Sequence, residues 1–180
     1  MRDVKSDNKN IAISDDELIQ QAKAGNENAV TRLINRYYHL ILRYCRWHCP
    51  NMETAEDLTQ ETFIRLFRRL NEYKGRGTFK AYLYTIANRL CIDESRKTGF
   101  FPLENDENLI SKDDSLHQLE DRDEVAYLLK FLSPEQREAI LLRYEEELSF
   151  AEIAKVTGCT LRTAQSRVRN GLKIMRRLKQ

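Results

Sequence analysis

The sequence predicts an all-helical protein with two small helical domains joined by an acidic flexible linker, the second domain containing a helix-turn-helix. Apolar residues recur at three- and four-residue spacing, and no stretch alternates apolar and polar residues long enough for a strand. Only six glycines and three prolines interrupt the 180 residues. The helical periodicity fades between Gly99 and Gln118, where acidic residues dominate, and this break separates the two predicted domains.

The charge is unevenly distributed along the chain. Residues 1–98 carry a net charge of +4, residues 99–124 carry −7 and residues 125–180 carry +5, which gives +2 overall. A composition that is 41% hydrophobic and 32% charged is typical of a soluble globular protein. We expect no membrane insertion, no signal peptide and a cytoplasmic location, because the N-terminus is polar and no run of 18 apolar residues occurs. The four cysteines form no regular framework, which argues against a disulfide scaffold.

The first domain is predicted over residues 14–98, after a disordered N-terminal segment of residues 1–13. A capping box at Ser14 and Glu17 opens a short helix, which Gly25 ends. A longer amphipathic helix follows and is closed by Pro50. The third helix, Glu53–Leu70, begins with acidic residues and ends with arginines, an order that suits the helix dipole. The fourth helix is predicted over Phe79–Arg96.

The second domain is predicted over residues 119–180, beyond a linker of residues 99–118. Fully extended, the twenty linker residues reach roughly 65 Å. A helix is predicted over Val125–Leu132, and the next begins with Ser133 as N-cap and Pro134 at its first position. A capping box at Ser149 opens a helix that ends near Gly158, and Thr160 caps the last helix.

These last two helices and their glycine-containing turn have the spacing of a helix-turn-helix. The final twenty residues contain seven cations and no acid, whereas a merely solvated helix usually mixes both signs. We expect an apolar stripe to face Ile153 and Ala154, with arginine, glutamine, serine and lysine turned outward toward base edges and phosphates. The stripe is Leu161, Ala164, Val168, Leu172 and Met175, and the outward set is Arg162, Gln165, Ser166, Arg169 and Lys173.

Three ordered motifs resemble extracytoplasmic-function (group 4) sigma factors of the sigma-70 family. Residues 132–138, 148–154 and 162–167 resemble the C-terminal promoter-binding domain of that family. Residues 55–65 are similar to its helix that binds core RNA polymerase, and residues 79–87 and 91–93 to its helix that reads the −10 promoter element. The resemblance covers nearly the whole chain in the family's order.

The resemblance implies a protein that binds core RNA polymerase, directs it to promoters and promotes transcription initiation. The implied partners are the polymerase clamp coiled coil and flap, promoter DNA and an inhibitory anti-sigma factor. Residues implied to bind core polymerase, partly through an acidic surface with exposed aromatics, are Glu56, Asp57, Gln60, Glu61 and Phe63. Residues implied at the −10 element are Tyr82, Asn88, Arg89, Asp93, Arg96 and Lys97, and those at the −35 element are Arg162, Gln165, Ser166, Arg167, Arg169 and Lys173.

Two other functions are compatible with parts of this sequence. A helix-turn-helix regulator that acts without core polymerase would share the reader helix but has no need of residues 55–65, and a pure protein-interaction module would not bind DNA. No nucleophile–base set or phosphate-binding glycine loop is present, so we expect no enzyme activity and no cofactor. Cys45, His48 and Cys49 share one helical turn, but buried thiols are expected there rather than a metal site. Glu145, Glu146 and Glu147 are expected to be a solvated helix end.

Overall fold

The computed structural model describes residues 13–75, 78–99, 124–125 and 127–179, and these residues form helices and connecting turns without a strand. A 3-10 turn, Leu70–Glu72, follows the third α-helix, and residues 124–125 and 127–129 are also helical. The all-helical prediction is confirmed. The predicted segment at residues 1–12 and linker residues 100–118 lie outside the described residues. The helices with defined bounds are α1 Asp15–Lys23, α2 Glu27–His48, α3 Met52–Arg68, α4 Phe79–Thr98, α5 Pro134–Tyr144, α6 Phe150–Thr157 and α7 Leu161–Leu178.

The helix starts follow the predicted local chemistry. Complete capping boxes begin α1 at Ser14, α5 at Ser133 and α6 at Ser149, each with the serine hydroxyl and a reciprocal side chain satisfying backbone amides. The Thr160 hydroxyl accepts a hydrogen bond from the Thr163 amide at the start of α7. These helix boundaries are therefore set by residues within one turn of each start.

The first domain, from α1 to α4, packs around α2. This helix contacts α1, α3 and α4, and α3 also contacts α4. Leu33 and Ile41 of α2, Leu66 of α3 and Leu83 of α4 are fully buried. The spacing of these residues supplies the hydrophobic face that each helix contributes to this core.

The second domain, from α5 to α7, packs α7 against both α5 and α6. Ala164 and Val168 of α7 are buried, and Gly171 of the same helix lies directly against α5. A methyl group added at Gly171 would lie 2.6 Å from the Cδ1 atom of Ile140. Glycine at this position lets α5 and α7 approach each other without displacing the Ile140 side chain.

The two domains contact each other through α4 and α6. Their buried apolar side chains form one connected cluster rather than two separate cores. The first helix of the helix-turn-helix thus rests on the last helix of the first domain. No helix in the described part of the chain combines the length and apolar character needed to cross a membrane.

Candidate nucleic-acid interface and interdomain contact

The helix-turn-helix is formed by α6, a three-residue turn and α7. Gly158 ends α6 in the left-handed conformation, with φ of 66°, and its amide donates to the Ala154 carbonyl oxygen. The amide of Cys159 donates to the same carbonyl at 3.0 Å. Because glycine adopts positive φ without steric cost, the chain reverses tightly here and positions α7 across α6.

The α7 helix presents its cations away from the core. Arg162, Gln165, Arg169 and Lys173 are exposed, whereas Ser166 and Arg167 are partly buried. No salt bridge engages Arg162, Arg169 or Lys173 within the described ranges. An exposed helix face with several cations and no acid attracts phosphate, and its arginine and glutamine side chains are able to hydrogen-bond base edges.

The predicted apolar stripe of α7 requires one correction. Ala164 and Val168 are buried, and Leu172 and Met175 pack partly against the core. Leu161, however, is 50% exposed, so the expectation that it faces the core is wrong. Leu161 is the first residue of the helix, one turn before the face that meets the core.

The candidate −10-reading residues lie along α4 but do not share one environment. Arg89, Asp93, Arg96 and Lys97 are exposed, and the partly buried ring of Tyr82 packs 4.9 Å from the ring of Tyr73. These residues follow one face and the C-terminal end of the helix.

Asn88 differs from the other candidates because it is only 7% exposed. Its side-chain amide donates to the Val156 carbonyl oxygen of α6 at 2.8 Å and accepts from the Tyr44 hydroxyl at 3.2 Å. In this arrangement Asn88 faces the second domain and is not available to DNA.

The candidate polymerase-binding residues lie on α3. Asp57 and Gln60 are exposed, and Glu56 and Glu61 are partly exposed. Glu61 also accepts a hydrogen bond from Arg65 at 2.7 Å, one turn later in the helix. Together they form an acidic surface near the start of the helix.

Phe63 does not contribute to that surface. Its side chain is 6% exposed and stacks between the rings of Tyr38 and Phe67, with centroids 6.3 and 6.4 Å away. The expectation of an exposed aromatic at this position is therefore wrong. Phe63 lies on the core-facing side of α3, where its packing stabilises the position of the helix.

The three consecutive glutamates between α5 and α6 contain a site that the sequence did not predict. Glu146 is 4% exposed, so the expectation of a solvated helix end is wrong for this residue. One carboxylate oxygen accepts a hydrogen bond from Arg43 at 2.5 Å, and the other accepts from the Tyr84 hydroxyl. Lys80 donates to the Glu146 carbonyl oxygen at 2.6 Å, with its Nζ 3.6 Å from the carboxylate.

Burial, and then the neighbouring Glu146 carboxylate, raise the pKa of the Tyr84 hydroxyl, which therefore remains a proton donor in this site. Arg43 and Lys80 supply positive charge from two different helices, α2 and α4. A run of three glutamates in the sequence gives no sign that one of them pairs with residues 62 to 103 positions away.

A second carboxylate of the second domain also pairs with the first domain. Glu138 of α5 accepts a hydrogen bond from the Tyr44 hydroxyl at 2.5 Å and lies 2.9 Å from Nε2 of His48. Desolvation alone would lower the pKa of His48, but the charge and hydrogen bond of Glu138 outweigh it and raise the pKa. The same pairing lowers the pKa of Glu138 against its own burial.

His48 is thus engaged in an interdomain ion pair rather than with the adjacent thiols. Cys45, Cys49 and Cys91 are buried, and the sulfur atoms of Cys45 and Cys91 are 4.0 Å apart. Within the described ranges, no group of three or more histidine, cysteine, aspartate or glutamate side chains is arranged to hold a metal ion. The thiols pack as small apolar groups between α2 and α4.

Comparisons with known proteins identify both parts of this arrangement. The Sigma-70 region 2 family matches residues 33–100, and the Sigma-70 region 4 family matches residues 122–175. The chain is 38% identical over 152 residues to the ECF RNA polymerase sigma factor BldN of Streptomyces coelicolor, covering 79% of this chain and 57% of that protein. It is 32% identical over 163 residues to the ECF RNA polymerase sigma factor SigC of Mycobacterium tuberculosis, covering 86% and 88%.

The fold has a counterpart among solved structures. CnrH, in a structure with the cytosolic domain of CnrY, superposes with a TM-score of 0.66 at 22% identity, covering 89% of this chain and 94% of that one. A helical region 2 followed by a helix-turn-helix region 4 defines the class as sigma-70-type proteins. The chain belongs to the extracytoplasmic-function sigma factors of that family.

Proposed function

We propose that this chain is an initiation factor that binds core RNA polymerase, directs it to specific promoters and promotes the start of transcription. The observation that carries this proposal is the presence of both sigma regions in one chain, the second ending in an exposed, acid-free cationic helix. The region 2 match also disfavours a regulator that acts without polymerase. The sigma factor supplies recognition, and the polymerase supplies the bond-making chemistry.

In the second domain we assign the −35 element to the outward face of α7. Gln165, Ser166 and Arg169 are proposed to specify bases, because their side chains suit base edges in the major groove. Arg167 and Lys173 are proposed to position the helix on phosphates, with Arg162 at its N-terminal end. If about four cations reach phosphates, the logarithm of affinity falls with the logarithm of salt at a slope near −3.6.

In the first domain we assign the −10 element to α4. Arg89, Arg96 and Lys97 offer phosphate contacts, Tyr82 offers an aromatic ring on which a base can stack, and Asp93 lies exposed between them. Asn88 joins this surface only if the second domain moves away from α4. Domain boundaries at residues 14–98 and 119–180 fit these assignments.

The acidic surface of α3 is proposed to dock on the polymerase clamp coiled coil, and the second domain on the flap. Glu56, Asp57, Gln60 and Glu61 would face basic partner residues, and such charge complementarity speeds and orients association. Phe63 contributes by holding α3 in place from the core. Since core polymerase and the chromosome are cytoplasmic, we infer a cytoplasmic location.

An inhibitory anti-sigma factor is a further proposed partner. Its support is that structural relatives were solved with such proteins, including the sigma factor RpoE with the anti-sigma factor NepR from Bartonella quintana, at a TM-score of 0.64 and 22% identity. Affinity purification of the chain from its native host should recover a stoichiometric inhibitory protein. Purification of the chain with core polymerase subunits alone would count against this partner.

Run-off transcription with purified core polymerase tests the proposed function. Genomic templates should give discrete transcripts that depend on the added chain, and the mapped starts should share two upstream elements. Core polymerase without the chain is the control. Good DNA binding with no promoter-specific transcript would instead favour a regulator that acts without polymerase.

A further inference from the structure

We propose that the interdomain contact is a self-inhibitory latch, in which Glu146 of the second domain occupies a basic docking site on the first domain and holds the promoter-reading surfaces in a closed arrangement. This inference rests on the proposed function, because it concerns how the two reading surfaces become available. The docking site consists of Arg43, Lys80 and Tyr84, and its occupant is the loop of residues 145–149 of this chain.

The docking site is selective for an acidic loop. Arg43 and the Tyr84 hydroxyl each donate to a different carboxylate oxygen of Glu146, and Lys80 donates to its backbone carbonyl oxygen. Arg43 also lies 3.8 Å from the half-exposed Glu145. A carboxylate taken out of water is stable only when opposite charge and hydrogen bonds replace its hydration, and the first domain provides both.

The loop that carries Glu146 is held in an uncommon backbone conformation. Glu147 has φ of 54°, the only positive φ at a non-glycine residue within the described ranges. The Leu148 amide donates to the Leu142 carbonyl oxygen at 2.9 Å, which closes the turn. A non-glycine residue adopts this conformation at a cost, and here it accompanies the burial of Glu146 in the neighbouring domain.

Four more contacts join the domains beside this site. Glu138 pairs with His48 and Tyr44, and Asn88 donates to the Val156 carbonyl oxygen. Thr78, the N-cap of α4, donates to Glu152, which caps α6. The latch therefore spans α2, α4, α5 and α6, so its polar contacts fix both the distance and the orientation of the two domains.

The closed arrangement conflicts with simultaneous reading of two promoter elements. Elements centred about 25 base pairs apart lie roughly 85 Å apart along the DNA axis at 3.4 Å per base pair. In the closed form α6 lies on α4 and α7 lies on α6, so α7 is roughly 20 Å from α4 at ordinary helix spacings. Asn88 is also covered by α6. Promoter engagement therefore requires the latch to open.

The size of the full-length chain in solution tests the latch directly. The variant Glu146→Gln keeps the side-chain shape but removes the charge that Arg43 and Lys80 neutralise. Small-angle X-ray scattering should give a radius of gyration near the 16 Å of a compact 180-residue chain for the wild type, and a value larger by roughly a quarter or more for the variant. Glu147→Gln, the same change at an exposed glutamate of the same loop, is the matched control and should remain compact.

A first-domain variant makes the test independent of loop folding. Arg43→Gln should expand the chain as Glu146→Gln does, and the double variant should expand it little further, because both single changes remove the same ion pair. Helical circular dichroism should be unchanged in all variants, since the lost contacts lie between domains. If both variants remain as compact as the wild type, or if only Glu146→Gln expands the chain, the latch is overturned.

Promoter binding separates this inference from the proposed function. On a promoter fragment mapped by the run-off assay, Glu146→Gln should bind at least about tenfold more tightly than the wild type without core polymerase, and the control Glu147→Gln should bind like the wild type. Transcripts without any such gain would support the sigma assignment and reject the latch as inhibitory. Expansion of the chain without promoter-specific transcripts would support the interdomain contact and reject the sigma assignment.

Discussion

At the scale of single residues, the interdomain contact holds charged side chains in positions shielded from solvent. Glu138 and Glu146 are both held by partners from the first domain. Such pairs contribute modestly to net stability when intact, but leave an uncompensated charge when one partner is removed. Their greater effect is therefore on which domain arrangement is populated. Any other arrangement must either expose these carboxylates to water or leave them buried without their partners.

The His48–Glu138 pair predicts a pH-dependent stability. Because the pKa of His48 is raised in the folded state, its contribution is complete below the ordinary value of 6.5 and is lost as the pH rises through the raised value. Because the pKa of Glu138 is lowered, its contribution is complete above 4.5 and is lost as the pH falls through the lowered value. The groups facing His48 are Glu138, Tyr44, Cys45 and Arg137.

We therefore expect His48→Gln to lower the melting temperature by a few degrees at about pH 5.5 and by less at about pH 8.5. Melting followed by circular dichroism across this range measures the difference. His39→Gln, at an exposed histidine of the same helix, is the control. A difference that grows with rising pH would contradict the assigned ion pair.

A comparison of two α7 cations tests their separate roles at the DNA. Arg169→Ala should cost about 1–3 kcal/mol of binding free energy and relax preference at one base-pair position, because a side chain that reads a base edge affects that base alone. Lys173→Ala should weaken binding uniformly across sequences and reduce the salt slope by about 1. Binding titrations against single-position promoter variants, at several salt concentrations, distinguish the two. A uniform loss for Arg169→Ala would assign it to phosphate.

At the scale of elements, the helix boundaries follow from local chemistry. The capping boxes at Ser14, Ser133 and Ser149 and the cap at Thr160 were all predictable, because each involves side chains within three residues of a helix start. The burial of Asn88 and of Glu146 is not predictable from residue spacing. Their partners lie up to 103 residues away, so their burial depends on how whole helices meet.

Phe63 and Leu161 show two ways in which the predicted burial of a side chain is wrong. The family resemblance places Phe63 on a partner surface, yet its ring packs against the rings of Tyr38 and Phe67. Helical periodicity predicts a buried Leu161 because this residue continues an apolar stripe, but at the first residue of the helix the side chain is half exposed. The burial of side chains in the middle of a helix is thus predictable from the sequence. At helix ends and at contacts between helices, burial depends on the tertiary structure.

The packing of α5 against α7 gives a prediction at this scale. Gly171→Ala places a methyl group 2.6 Å from Cδ1 of the buried Ile140. Overpacking costs typically 1–3 kcal/mol, whereas alanine gains about 1 kcal/mol over glycine in a helix, so a net loss of about 1 kcal/mol is expected. Thermal melting should fall by about 2–4 °C. Asn170→Ala, at an exposed residue of the same helix, is the control and should leave the melting temperature unchanged or raise it slightly. An equal rise for Gly171→Ala would show that α5 and α7 are not closely packed there.

At the scale of the whole molecule, the interdomain contact and the proposed −10 surface share the helix α4. The helix α4 carries both the exposed −10 candidates and the contacts to α6, whereas the acidic surface of α3 lies outside the latch. The polymerase-binding surface proposed on α3 is therefore accessible before the domains separate. Under the proposed latch, this order links polymerase binding to exposure of the DNA-reading surfaces.

Hydrogen exchange on binding core polymerase tests that order. Peptides covering residues 52–62 should gain protection, because α3 becomes the docking surface. Peptides covering residues 145–157 should lose protection, because the loop of Glu146 and the helix α6 leave the first domain and their amides open more readily. Peptides within α2 residues 29–41, which form the core of the first domain, serve as the internal control and should not change. Gains at residues 52–62 with unchanged exchange at residues 145–157 would show that polymerase binds the closed form without opening it, and would place the opening step at the promoter instead.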